Sequence, residues 1–504
     1  MNLAIRRHCA WWIGSRRPPL LEQLMIRLLV FALLVAVAVC LSPQAALAAP
    51  ALDGASMQWP WMVPFIGILL SIAAGPLLVP KIWHRHYGKF AAGWAVLALA
   101  PIAVNYGASA AIAALVHAML AEYLSFIVLL FALYTVAGGI LVTGNLPGTP
   151  LINTAVLALG TLMASIVGTT GAAMILIRPL IRANVARTHN AHVVVFFIIL
   201  VANVGGALTP LGDPPLFVGF LHGVDFFWTA QQIWLQTLIV GLLVIAIFFA
   251  VDAGFYLRER RAAAAIKSIR VRGLINIPLI ALVIAALLGS AIWKPGISFN
   301  VMGTDVALQN LLRDAALVAI AGLSLWLTPD EHRAANGFTW EPIKEVAKLF
   351  AGIFIAIIPV LAMLGAGRGG LFAGLLSAVT AVDGTPNEVA FFLLTGLLSA
   401  FLDNAPTYLV FFELAGGDPK RLMGEHSGTL AAISMGAVYM GALTYLGNAP
   451  NFMVCAIATE SGVRMPSFFR YMLWAAAVLV PLFALLTLLP VAPILKLNGR
   501  IFWF

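Results

Sequence analysis

Two aspartates stand inside otherwise apolar runs. Asp213 lies in Gly206 to Val218, GALTPLGDPPLFV, and Asp403 in Leu402-Asp403-Asn404-Ala405-Pro406. A carboxylate within a membrane segment costs about 2.5–3.5 kcal/mol on insertion scales and marks a functional position by default. Carboxylate oxygens suit a hard cation, and a carboxyl group removed from water can exchange that cation for a proton. Thr169, Thr170, Gly171, Asn203, Thr209, Gly212, Asn404, Thr444, Gly447 and Asn448 add hydroxyl, amide and backbone groups around them. Together these residues are the candidate ion- or substrate-binding set, with Asp213 and Asp403 as candidate Na⁺ ligands. Plainer readings stand beside this one. Asp213 before Pro214-Pro215 is a good helix cap. Thr209 and Thr444 can bond back to helix carbonyls. Arg178 suits a snorkelling anchor better than an anion-steering group.

The elements that must position these residues follow from composition. Apolar types make up 62% of the 504 residues and charged types 10%, against about 25% charged in a soluble domain. A compact water-soluble protein is excluded, and the expected partner is a lipid bilayer. The net charge of +9 reads as basic cytoplasmic loops, with no basic-aromatic stripe that would suit nucleic acid. Cys9, Cys40 and Cys455 make neither a disulfide framework nor a metal site. No zinc motif or nucleophile elbow is present, so no enzyme and no bound cofactor is expected. Na⁺ and H⁺ would be the coupling or transported ions.

Apolar segments fall at about 60–80, 90–105, 122–143, 151–181, 193–222, 232–256, 274–293, 311–328, 349–366, 387–413, 428–459 and 470–495. Arg6, Arg7, Arg16, Arg17 and Arg27, the run Leu28 to Leu41 and Ala46-Leu47-Ala48 predict that 1–49 is a secretory signal peptide or an N-terminal anchor. Three basic loops, Lys81 to Lys89, Arg178 to Arg187 and 258–272, are expected in the cytoplasm. With them there, 151–181 is a re-entrant hairpin. Segment 193–222 is a helix broken at Gly-Asp-Pro-Pro, since proline removes a donor and glycine weakens a helix.

The second half repeats the first. Gly441 to Met453, GALTYLGNAPNFM, matches Gly206 to Val218 without a gap at eight of thirteen positions. Ser165 to Gly171 and Ser399 to Ala405 align at nearly the same offset. An odd number of crossings between the halves inverts the second, so 387–413 is a hairpin open to the outside. Paired breaks in inverted repeats are a mark of secondary transporters. The fold expected is therefore an all-α polytopic membrane protein of two inverted repeats, 50–272 and 273–504. Each would hold about five transmembrane helices, one re-entrant hairpin and one broken helix.

The stretch Asn203 to Pro215 resembles the break motif of the ion transporter superfamily, and Leu402 to Pro406 its second hairpin motif. That group includes NhaD-type sodium/proton antiporters, the melanosomal P protein, citrate transporters and arsenite permeases. The resemblance covers residues 60–495. It implies a bacterial-type inner membrane protein with a scaffold able to pair as a homodimer and an elevator-like moving core. The first tip, Gly168-Thr169-Thr170-Gly171, lacks the Asn or Asp often found there, and no Ser-Asn-Thr triplet of the carboxylate carriers is present. Two central carboxylates would repel a citrate trianion. The expectation is Na⁺/H⁺ antiport. The alternatives are a cation- or proton-coupled citrate or other organic anion carrier and, less well supported, an ion channel.

Overall fold

The computed structural model describes residues 52–259, 267–381 and 384–488. The expected signal peptide at 1–49 lies outside the described residues. Eight helical stretches among them are long and apolar enough to cross a bilayer, and the protein is an all-α polytopic membrane protein.

The helices form two packed groups. One comprises α1 (Val63–Leu78), α2 (Pro80–Tyr106), α3 (Ala108–His117) and α4 (Leu124–Gly138). A π turn at Ala118–Tyr123 joins α3 to α4. This scaffold is completed by α10 (Asn276–Ile292), α11 (Leu308–Leu327), α12 (Asp330–Ala335), α13 (Glu341–Ala356) and α14 (Ile358–Gly365). Here α2 packs on α13, and α11 on α4 and α10. The second group, the core, holds α5 (Pro150–Val167), α6 (Thr169–Ala183), α7 (Ala191–Leu200), α8 (Pro214–Leu221) and α9 (Trp228–Arg258). It continues with α16 (Glu388–Phe401), α17 (Asn404–Leu414), α18 (Pro419–Met423), α19 (Ser427–Met440), α20 (Ala449–Glu460) and α21 (Phe468–Leu488). The short helix α15 (Ala373–Ala378) precedes α16. Two small antiparallel ladders lie in the connections: β1 (Leu141–Asn145) with β2 (Lys267–Arg272), and β3 (Ser298–Val301) with β4 (Thr304–Ala307).

Three sequence boundaries move. Lys81 to Lys89 is the start of α2 and not a loop: Pro80 sets the first turn, and Lys81, His84, Arg85 and Lys89 line its exposed side. The segment expected from 122 begins at Ala108, because the alanine-rich run has high helix propensity although it is only moderately apolar. The segment expected from 349 begins at Glu341, two amphipathic turns earlier.

α5 and α6 make the first hairpin and break at Gly168, whose φ of 81° favours glycine. α16 and α17 make the second, with Asn387 capping the N–H of Ala390 and Asp403 capping that of Ala405. The hairpins are interleaved with the broken helices, α6 packing on α20 and α17 on α8. The path α7–break–α8 starts at the mouth of the first hairpin and ends at the mouth of the second.

A buried charge cluster closes the first mouth. Arg187 Nη1 lies 2.5 Å from Asp252 Oδ1, and His192 Nε2 is 2.8 Å from the same oxygen. Asn153 Nδ2 donates to Asp252 Oδ2 at 2.9 Å and also to Asn184 Oδ1. At the rim, burial works to raise the Glu259 carboxyl, but bonds from the His189 N–H and the Arg187 guanidinium outweigh it and hold it below the usual glutamate range. The cluster ties together the ends of α5, α6, α7 and α9.

Candidate functional site

Both hairpin tips and both breaks meet at Asp213. Thr169 Oγ1, at the first tip, donates to its Oδ1 at 3.2 Å. Asn448 Nδ2, in the second break, donates to the same oxygen at 2.8 Å. Asn404 Nδ2, at the second tip, donates to Oδ2 at 2.6 Å. The carboxyl is 1% exposed, and all three donors are neutral. Asp213 holds the cap position of α8, but its side chain makes no capping bond. The capping reading therefore fits Asp403 instead, whose Oδ1 accepts from the Ala405 N–H at 3.2 Å.

The amides that serve Asp213 leave their own oxygens bare. Asn404 Oδ1 and Asn448 Oδ1 are buried and have no hydrogen-bond partner. A buried acceptor without a donor carries a desolvation cost of about 1–3 kcal/mol. Both amides are thus bound through nitrogen to a buried carboxyl, whose charge a proton or cation would offset.

The breaks are held in place by their neighbours. Thr209 Oγ1 donates to Ser165 O and Thr444 Oγ1 to Ala400 O, each at 2.5 Å. Each threonine thus fastens its break to the first helix of the adjacent hairpin, not to its own helix. Gly212 and Gly447 repeat one geometry: an added Cβ would lie 2.2 Å from Gly206 O in the first break and 2.5 Å from Gly441 O in the second. Only glycine lets the chain pass itself this closely. Gly212 O also accepts the N–H of Thr169 at 2.8 Å.

Asn203 bridges the breaks. Its Nδ2 donates to Asn451 Oδ1 at 2.7 Å, and Asn451 Nδ2 donates to Gly441 O and Thr444 O. Asn448 Nδ2 also reaches Ala202 O at 3.0 Å. Asn451 was not among the sequence candidates. Its signal was the Asn448-x-x-Asn451 spacing, which places two amides about one turn apart. Thr170, half-buried in the first turn of α6, and Gly171 are not among the hydrogen-bond partners of Asp213. Gly171 sits against Ala137 of α4, where an added Cβ would come within 3.0 Å.

Hairpin tips and helix breaks gathered about one buried carboxyl mark the centre of a polytopic membrane protein. The chain belongs to the family described as "Putative citrate transport", which matches residues 54–491. It is also similar to an uncharacterized transporter of Mycobacterium tuberculosis and to one of Mycobacterium bovis. Each is 26% identical over 285 residues, which is 54% of this chain and 61% of the relative.

Proposed function

We propose that the protein is a secondary active transporter of a bacterial inner membrane, exchanging Na⁺ for H⁺ at Asp213. The observation that carries this reading is the pair of unpartnered amide oxygens, Asn404 Oδ1 and Asn448 Oδ1, beside the buried carboxyl. Oxygen lone pairs and a carboxylate suit a hard cation. In its absence, a proton on Asp213 offsets the same charge. Asp403, which interacts electrostatically with Asp213, adds to the field that attracts the ion.

Anion binding at the same point has fewer donors. Helix N-termini hold anions through free N–H groups, but Pro214, Pro215, Pro406 and Pro450 supply none in the first turns of α8, α17 and α20. The Thr169 N–H is spent on Gly212 O. The family description favours the second reading, a cation- or proton-coupled citrate or organic anion carrier. In that case the bound cation would screen the carboxyl from the substrate.

The two halves are read as inverted repeats, with the core sliding against the scaffold. The seam supports movement because it is apolar where the second tip meets α13: Phe350, Phe354 and Ile357 line it with Ala405, Pro406 and Leu409. Dispersion contacts of this kind can be exchanged without breaking hydrogen bonds.

Everted vesicles from a host lacking its own antiporters, loaded with a pH-sensitive dye, test the exchange. Na⁺ should collapse an imposed pH gradient, with Li⁺ and K⁺ as comparisons. No response to any of these cations from well-expressed protein, together with uptake of labelled citrate, overturns antiport in favour of the anion carrier.

A further inference from the structure

A second titratable cluster lies away from Asp213, where the scaffold meets the core beside the mouth of the second hairpin. Glu122 is carried by the π turn between α3 and α4, a backbone irregularity frequent at functional sites. His222 follows the last turn of α8. Glu413 is near the end of α17. The His222 ring meets the Phe412 ring at a centroid distance of 5.7 Å, and the Glu413 carboxylate interacts with the charges of both His222 and Glu122.

The hydrogen bonding of this cluster is short of one proton. His222 Nδ1 is 2.9 Å from Val218 O, and a carbonyl can only accept, so Nδ1 carries the hydrogen. In the neutral ring, Nε2 is then a bare lone pair. It faces Glu122 Oε1 at 3.8 Å. An ionised Glu122 would oppose that lone pair with another, with the Glu413 charge alongside. Glu122 is 9% exposed, and its Oε2 is buried with no hydrogen-bond partner. One proton on Nε2 turns the opposition into an ion pair at this distance.

We propose that Glu122, His222 and Glu413 form a second proton-binding site, which fastens the scaffold to the core when the proton is held and loosens that contact when it is lost. The other ionisable side chains on the elements packed here are His117 on α3, Tyr123 in the π turn, Tyr134 on α4, Asp305 on β4, Glu341, Lys344, Glu345 and Lys348 on α13, Glu388 in the first turn of α16, Tyr408 on α17 and Tyr439 on α19; α14 has none. The phenols stay neutral across the physiological range, and the charges acting on Glu413 are those of His222 and Glu122, so the proton is assigned to these three groups. The inference rests on the transport reading only in treating this seam as a moving boundary.

Hydrogen exchange on the intact protein in nanodiscs reads the site without any transport. Between about pH 5.5 and about pH 8, and after correction for intrinsic exchange, protection at 118–124 and 214–222 should fall by roughly tenfold at the higher pH. E122Q and, separately, H222Q should reduce that change to roughly twofold or less, and two variants guard against one failing to fold. Wild-type protection that does not depend on pH at these segments overturns the proposal, as does a full pH response surviving in both variants. If the response is present but vesicles show no exchange, the proton site stands and the transport reading falls.

Discussion

Asp213→Asn is expected to leave a folded protein that transports at no more than about one-hundredth of the wild-type rate. The carboxyl is the only charged group among the hydrogen-bonded partners at the centre, and a charge-assisted contact of about 3 kcal/mol corresponds to roughly a hundredfold. The fold should survive because the site already contains spare acceptors. With the new NH₂ in the place of Oδ2 it would face the amide NH₂ of Asn404, which can turn over to present the Oδ1 that is now unpartnered, while the retained oxygen still accepts from Thr169 and Asn448. Losing a buried charge with neutral partners also removes a desolvation cost. The melting temperature in detergent should therefore equal or exceed that of the wild type. A large fall in melting temperature would make Asp213 a structural residue. Asp403→Asn should be milder, since an amide oxygen can still cap the Ala405 N–H.

Asp252→Ala should do the reverse, destabilising the core while leaving the Asp213 centre chemically intact. Asp252 is fully buried, and it is the shared acceptor for Arg187, His192 and Asn153. Removing one member of a buried pair strands the other, at a cost of about 3–5 kcal/mol. The stranded guanidinium has one remaining carboxylate, Glu259 at 3.1 Å, and it lies at the rim. Thermal aggregation of the purified variant should begin well below the wild-type temperature. Wild-type stability would show that Arg187 and Glu259 suffice to close the first hairpin mouth.

Much of this arrangement was legible in the sequence because the irregular segments carry their own chemistry. Gly-Asp-Pro-Pro and Gly-Asn-Ala-Pro marked the breaks, and those breaks do separate α7 from α8 and α19 from α20. The matched Thr-x-x-Gly pattern proved to be one local geometry built twice, with Thr209 and Thr444 each reaching across to a hairpin carbonyl. The division of labour between the two aspartates was not legible. Asp213 resembles a cap by its neighbours, and Asp403 resembles an isolated intramembrane acid. Only the packing of α17 on α8 brings the Asn404 amide to Asp213 and leaves Asp403 to cap α17. Pairing between residues some 190 to 235 positions apart depends on tertiary contact and has no local sequence signal. Helix starts were misjudged where polar or alanine-rich turns extend an apolar span, as at Ala108 and Glu341.

Competition between Na⁺ and a proton for Asp213 can be measured directly, without vesicles or a substrate gradient. Purified protein in weakly buffered detergent solution is titrated with Na⁺ while the pH is recorded, with the Asp213→Asn variant treated identically. The expected result is release of up to about one proton per protein as Na⁺ binds, and none from the variant. Either no acidification from the wild type, or equal acidification from both proteins, would contradict a cation and a proton sharing the Asp213 carboxyl.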